Sequence, residues 1–256
     1  MKDNGRILAI GAHPDDVEFK AAGTLSLLRK KGYEIAIVTV ANGDCGSTEH
    51  SSIEIARIRA AEAAESAALL QGRYIGLGCG DLAICFDMET RRKVTNAIRE
   101  VDPFIVFTHP HEDYMADHEV TSRLVRDACF GAPIPNYGGY GNLPHTHGIP
   151  YLYYWDAMEG IDYLGRPQPV HFYVDVTTEM DVKRAMLACH RSQREWLLRQ
   201  HGLDHYIGSM EHWGAERGTE AGFAYAEGFC QHRGHAYPKD NALEKLLGSE
   251  KVRAAT

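Results

Sequence analysis

Short apolar runs alternate with helix-patterned segments through the first half of the chain, and no other feature restricts the fold as much. Arg6–Ala12, Tyr33–Ala41, Arg73–Leu77 and Phe104–Thr108 read as strands. Between and after them, Val17–Lys31, Ser51–Leu70, Met88–Val101 and Glu119–Phe130 carry apolar residues at helical spacing. Strands that are apolar throughout need cover on both faces, and strands joined through helices run parallel. Right-handed crossovers then predict an α/β, Rossmann-like, doubly wound and mostly parallel sheet with helices on both faces. Tyr151–Trp155 and His171–Val176 read as later strands, and Thr178–Gln200 as one long helix. Residues 131–150 hold five Gly and four Pro, which predicts a long loop. The tail 249–256 is expected to fray. With no repeat and no linker, residues 1–256 read as a single domain.

In such sheets chemistry gathers beyond the carboxyl ends of the strands. Two polar clusters fall there: His13–Asp16 after the first strand, and His109–His118 after the fourth. The formal net charge of −8, without a basic block, argues against nucleic acid and anionic membranes as partners. No apolar run approaches the roughly 18 residues of a membrane span. Ile7–Ile10 breaks at Gly11 and His13, too soon for a signal peptide. The six cysteines form no C-x-x-C pair and read as reduced, so a soluble, cytoplasmic protein is expected. The one compositional oddity is its 14 histidines, which point to metal or proton chemistry.

In Gly11-Ala12-His13-Pro14-Asp15-Asp16, proline favours the first helical turn, so the strand ends near Ala12 and a helix begins near Pro14. His13 and Asp16 then stand three apart across that start, close enough to converge on one ion. Two acids in a first turn also serve simply as helix-start residues, which the dipole favours. The second cluster, Thr108 to His118, is rich in His, Asp and Glu. A mixed His/Asp set suits zinc better than magnesium, and three protein ligands leave a position for water, as catalytic sites require.

These residues resemble the LmbE-like (PIG-L) family of zinc-dependent N-deacetylases. The family's A-H-P-D-D motif matches Ala12-His13-Pro14-Asp15-Asp16, and its later D-H pair matches Asp117-His118. Weaker matches are Arg59 and Glu62 on the second helix, Asp81 after the third strand, a run from Lys183 to Gln193, and Ala226–Phe229. The resemblance implies His13, Asp16 and His118 as ligands of one Zn2+ and Asp15 as the general base for zinc-activated water, returning its proton to the departing amine. It makes Asp117 a supporting catalytic group, and Arg59 and Asp81 substrate-binding residues. Family members commonly form homo-oligomers, so a homo-oligomer is expected.

One departure stands out. Where many members carry a histidine that stabilises the oxyanion, this chain has Met115, which cannot donate a hydrogen bond. Losing such a donor raises the barrier by about 3–4 kcal/mol, so an active hydrolase needs a replacement; His109, His111, Tyr114 and His190 are the candidates. The resemblance implies removal of an N-acyl group, most simply acetyl, from an amino sugar or its conjugate, hence a small-molecule or glycan substrate. An alternative is a zinc-dependent hydratase acting on a small unsaturated carboxylic acid. A non-catalytic nucleotide or methyl-donor binder would leave both clusters without a purpose. The 131–150 loop, with Tyr137, Tyr140, His145 and His147, is expected to border the pocket. Tyr153, Tyr154 and Trp155 fit either a sugar-stacking surface or, more simply, the core.

Overall fold

The first apolar run becomes β1 (Arg6–Gly11), which pairs in parallel with β2 (Glu34–Ala41) on one side and β4 (Ile105–Thr108) on the other. This computed structural model describes residues 3–137, 143–201 and 205–255. Outside β2 lies β3 (Arg73–Cys79), and outside β4 lies β5 (Tyr151–Trp155), both parallel. The sheet then continues antiparallel through β7 (Ala226–Gln231), β6 (Phe172–Asp175) and β8 (Val252–Ala254). The order is β3-β2-β1-β4-β5-β7-β6-β8, so the expected mostly parallel, doubly wound sheet is present.

Side chains alternate across a strand, so β1 feeds two cores. Ile7 and Ala9 pack with Leu25 and Leu28 of α1 (Asp16–Lys30), Ala67 of α2 (Ser52–Leu69) and Met186 of α5 (Met180–Ala188). Leu8 and Ile10 face the other way, against Val94 and Ile98 of α3 (Met88–Val101) and Leu124 and Val125 of α4 (Ala116–Gly131). The α2 start is fixed by a capping box in which Ser51 accepts from the Glu54 N–H and the Glu54 carboxylate accepts from the Ser51 N–H.

Two expectations need correction. The long helix over 178–200 is broken: α5 ends at Ala188, and α6 (Arg191–His201) starts anew after Cys189 and His190. The break drives His190 fully inside, where its Nε2 lies 3.1 Å from Glu18 Oε1. The tail does not fray, because Val252–Ala254 form β8 along β6, with Val252 buried. Tyr153, Tyr154 and Trp155 are core residues, the simpler of their two readings. The helices α7 (Tyr206–Ala221) and α8 (Ala242–Leu247) were not among the expected elements.

The weaker motif residues brace the layers. Glu227 of β7 accepts from the Gly23 and Thr24 N–H groups of α1 at 2.9 and 2.8 Å and pairs with Lys183 of α5. Gly23 permits this approach, since a Cβ there would meet Val176 at 2.6 Å. Glu62 of α2 accepts from Ser192 at the start of α6, at 3.0 Å from its N–H and 2.6 Å from its hydroxyl.

Candidate active site

Strand β1 lies between β2 and β4, at the point where the order of strands reverses. Such switch points open a crevice at the carboxyl ends of the strands. From the β1 side come His13, Asp15 and Asp16; from the β4 side come His109 and, in the first turn of α4, Asp117 and His118. The chain folds back sharply after β1: the His13 N–H donates to Asp16 Oδ2 at 2.7 Å. Gly11 leaves room for that fold, because a Cβ there would stand 3.0 Å from the Asp16 Cβ.

His13 Nδ1 lies 3.7 Å from Asp16 Oδ2, and His118 Nε2 lies 3.5 Å from Asp16 Oδ1. One ligand atom from each of the three residues falls within 4.8 Å of the other two. The remaining ring nitrogens are also engaged. His13 Nε2 stands 3.0 Å from Asp117 Oδ2, and His118 Nδ1 lies 3.1 Å from Asp113 Oδ1. The Asp117 carboxylate behind His13 is the usual support of a metal-binding histidine, and Asp113 stands close behind His118. This cluster forms the floor of a cavity of about 470 Å³. His109, Asp113 and His118 form a second close triad, but neither His109 nor Asp113 lines the cavity. The set His13, Asp16 and His118 does, and it fits a divalent ion with an open side.

Without an ion, the surrounding charges set the protonation of that donor set. Burial alone would raise the Asp16 carboxyl, yet the His118 and His109 rings hold it well below the usual range. Burial would depress His13, but hydrogen bonds to Asp117 and Asp16 raise it to about 10. His109 goes the other way, lowered to about 4 by burial and by His118, so it stays neutral and its Nε2 accepts the Ala12 N–H at 2.9 Å. Burial also pushes the Asp15 carboxyl up, against the opposing charge of Arg59.

Asp15 lines the cavity, with Oδ1 3.6 Å from Arg59 Nη2 and Oδ2 accepting the Tyr206 hydroxyl at 2.5 Å. Arg59 is nearly inaccessible and donates to the Pro14 carbonyl at 2.7 Å, so it holds the motif loop as well as facing the cavity. Asp81 lines the wall, but its oxygens accept the Gly43 and Cys45 N–H groups at 2.8 and 3.1 Å, bracing the loop after β2. Asp117 accepts the Leu82 N–H at 2.7 Å in addition to facing His13.

Met115 lines the cavity, so its thioether stands at the wall where the resemblance expects a donor. Of the four replacements named from sequence, Tyr114 alone lines the cavity, its ring edge-on to His118 at 5.2 Å. His109 is buried beneath Asp16, His111 packs on Tyr154, and His190 is enclosed beside Glu18. The described residues of the 131–150 loop do not border the pocket. Tyr137 packs on Gly131, and His147 pairs with Asp102, which precedes β4 at the opposite end of the sheet; Tyr140 lies outside the described residues. The wall comes instead from α6 and α7: Gln193, Trp196, Leu197, Tyr206, Ser209 and Trp213, with Met158 and Glu159 from a single turn after β5. Tyr206, Met210 and Trp213 do recur at helical spacing, the one signal that could have revealed this face.

Residues 8–129 match the model of the PIG-L family, described as GlcNAc-PI de-N-acetylase. Among characterised relatives, the chain is 28% identical over 204 residues to a diacetylchitobiose deacetylase of Thermococcus kodakarensis, covering 75% of this chain and 72% of that one. It is 25% identical over 194 residues to a 4-oxalmesaconate hydratase of Pseudomonas putida, covering 73% of each. The solved N,N′-diacetylchitobiose deacetylase of Pyrococcus horikoshii superposes with a TM-score of 0.73 at 25% identity, over 91% of this chain and 87% of that one. The A-H-P-D-D motif and the Asp117-His118 pair both lie inside the stretch that matches the PIG-L (LmbE-like) family model.

Proposed function

We propose that this protein is a metal-dependent hydrolase that removes an N-acyl group, acetyl in the simplest case, from an amino sugar or its conjugate. The observation that carries the reading is the placement of the His13/Asp16/His118 donor set and the Asp15 carboxylate together on the floor of one cavity. His13, Asp16 and His118 would hold the ion, and a set of two imidazoles and one carboxylate suits zinc. A bound divalent ion would polarise the amide carbonyl and make water more acidic. Asp117 fixes the His13 tautomer. Asp15 takes a proton from the attacking water and returns it to the departing amine, so the amide and one water become a carboxylate and an amine.

The charge of the walls favours this substrate class over an unsaturated dicarboxylate. Asp15, Asp16, Asp81 and Glu159 all line the cavity, and among its described lining residues Arg59 is the sole Lys or Arg. Arg59 already serves Pro14 and Asp15, and one divalent ion would offset only two of the carboxylates. A dianion would find no surplus positive charge, whereas a neutral sugar would meet Trp196 and Trp213 in the wall. Met115 and the hydratase relative support the second reading, hydration of an unsaturated acid.

One experiment separates the two. Metal content is measured on the purified protein, and the same sample is assayed for acetate release from N-acetylglucosamine, diacetylchitobiose and related glycosides, and for loss of ultraviolet absorbance from conjugated dicarboxylic acids. Acetate release with one metal per chain is expected. Absorbance loss without acetate release would replace this reading by the hydratase.

A further inference from the structure

The backbone at Asp15 is unusual in a way that helix formation does not explain. Asp15 stands at the N-cap of α1, where an aspartate ordinarily adopts an extended conformation and accepts an N–H of the first turn. Here φ is 109° and ψ −23°, in the left-handed region that a residue with a Cβ avoids, and the side chain makes no capping bond. The carboxylate has been turned away from its helix and into the cavity. An outlier of this kind persists only where its surroundings hold it.

The surroundings that hold it come from the far end of the chain. Tyr206, the first residue of α7, donates its hydroxyl to Asp15 Oδ2 at 2.5 Å across 191 residues of sequence. Its side chain is nearly inaccessible, and burial together with the facing Asp15 charge raises the phenol well above its ordinary range, so it remains a donor. The Arg59 guanidinium faces the other oxygen at 3.6 Å. With Met115 in place of a donor on the α4 side, the proton taken from water and the proton given to the amine both pass through Asp15. The direction in which that carboxylate points therefore decides both halves of the reaction.

We propose that Tyr206 is a positioning residue that locks the Asp15 carboxylate into its cavity-facing orientation, so that the first residue of α7 completes a site otherwise built from strand ends. The inference rests on the reading of Asp15 as the proton acceptor. Its test has one arm that needs no substrate. In proton NMR of the purified protein, the buried phenol–carboxylate bond gives a downfield, exchange-protected hydroxyl proton, lost in both Tyr206→Phe and Asp15→Ala. Absence of that proton from the unsubstituted protein, or its survival in Asp15→Ala, overturns the proposal. In the second arm, acetate release from diacetylchitobiose is measured for Tyr206→Phe, Asp15→Ala and the double variant. Tyr206→Phe lowers kcat about ten- to a hundred-fold, as expected for losing a hydrogen bond to a charged group, and leaves KM within about twofold. In the Asp15→Ala background it has no further effect. A rise in KM with kcat unchanged, or an equal further loss without Asp15, shows Tyr206 acting elsewhere and ends the proposal. Full turnover in Asp15→Ala would instead strike down the functional reading itself, which keeps the two failures apart.

Discussion

From β2 through β5 the sheet is parallel and largely enclosed, whereas β7, β6 and β8 run antiparallel and end in an exposed edge. The two regions contribute differently to the site. The parallel part supplies the candidate ligands within a residue or two of a strand end or inside a first helical turn, where backbone geometry alone sets their positions. The later part supplies no candidate ligand; its helices give the cavity its aromatic wall and, in Tyr206, a clamp on Asp15. The ligands at the strand ends are set locally, and among the later residues Tyr206 reaches the chemistry through Asp15. A wall built from separate helices depends on how those helices dock, so it is where relatives sharing one motif can diverge in substrate.

That division can be broken by substitution. The largest effect is expected from His13→Ala or His118→Ala, which removes one of three ligands: metal content should drop from about one per chain towards zero, with activity falling to background. Asp15→Ala should keep the metal and lower kcat by about 10²–10⁴-fold, the usual contribution of a positioned acid–base group. If either substitution changed KM alone, the strand-end cluster would not be the seat of the chemistry.

In the later region, Tyr206 apart, the effects should be on folding and binding. Lys183→Met leaves the buried Glu227 without its cation, although the α1 amides still reach it, and should destabilise the fold by about 3 kcal/mol in denaturant melts. Trp213→Ala should raise KM roughly tenfold, a change of about 1.4 kcal/mol, while kcat moves little. A large fall in kcat for Trp213→Ala would blur the distinction between floor and wall. The smallest effect is expected from Ser51→Ala, which removes the α2 cap for about 1 kcal/mol of stability and leaves kinetics unchanged.

Most of the parallel sheet was legible in the sequence because its signals are local. A run such as Ile7–Ile10 has to be enclosed on both faces, and Pro14 after His13 marks a strand giving way to a helix. The break at Cys189–His190 was not legible, because the helical pattern continues through it; burying His190 beside Glu18 is a tertiary event. Residues 252–254 look like a frayed end until the unpaired edge of β6 is present to accept them. The 131–150 loop carries aromatic and histidine residues that suit a binding wall, yet Tyr137 packs on the end of α4 and His147 is drawn to Asp102.

The sequence by itself determined the parallel part of the sheet, the candidate donor set and the position of Met115, since each is set by local order along one or two elements. Only the tertiary structure decided which side chains enclose the cavity, and that Asp15 is turned from its helix towards a tyrosine on α7. Hydrophobic periodicity records that a helix buries a face, but it does not record which other face it meets. That choice is made by packing between residues nearly two hundred positions apart.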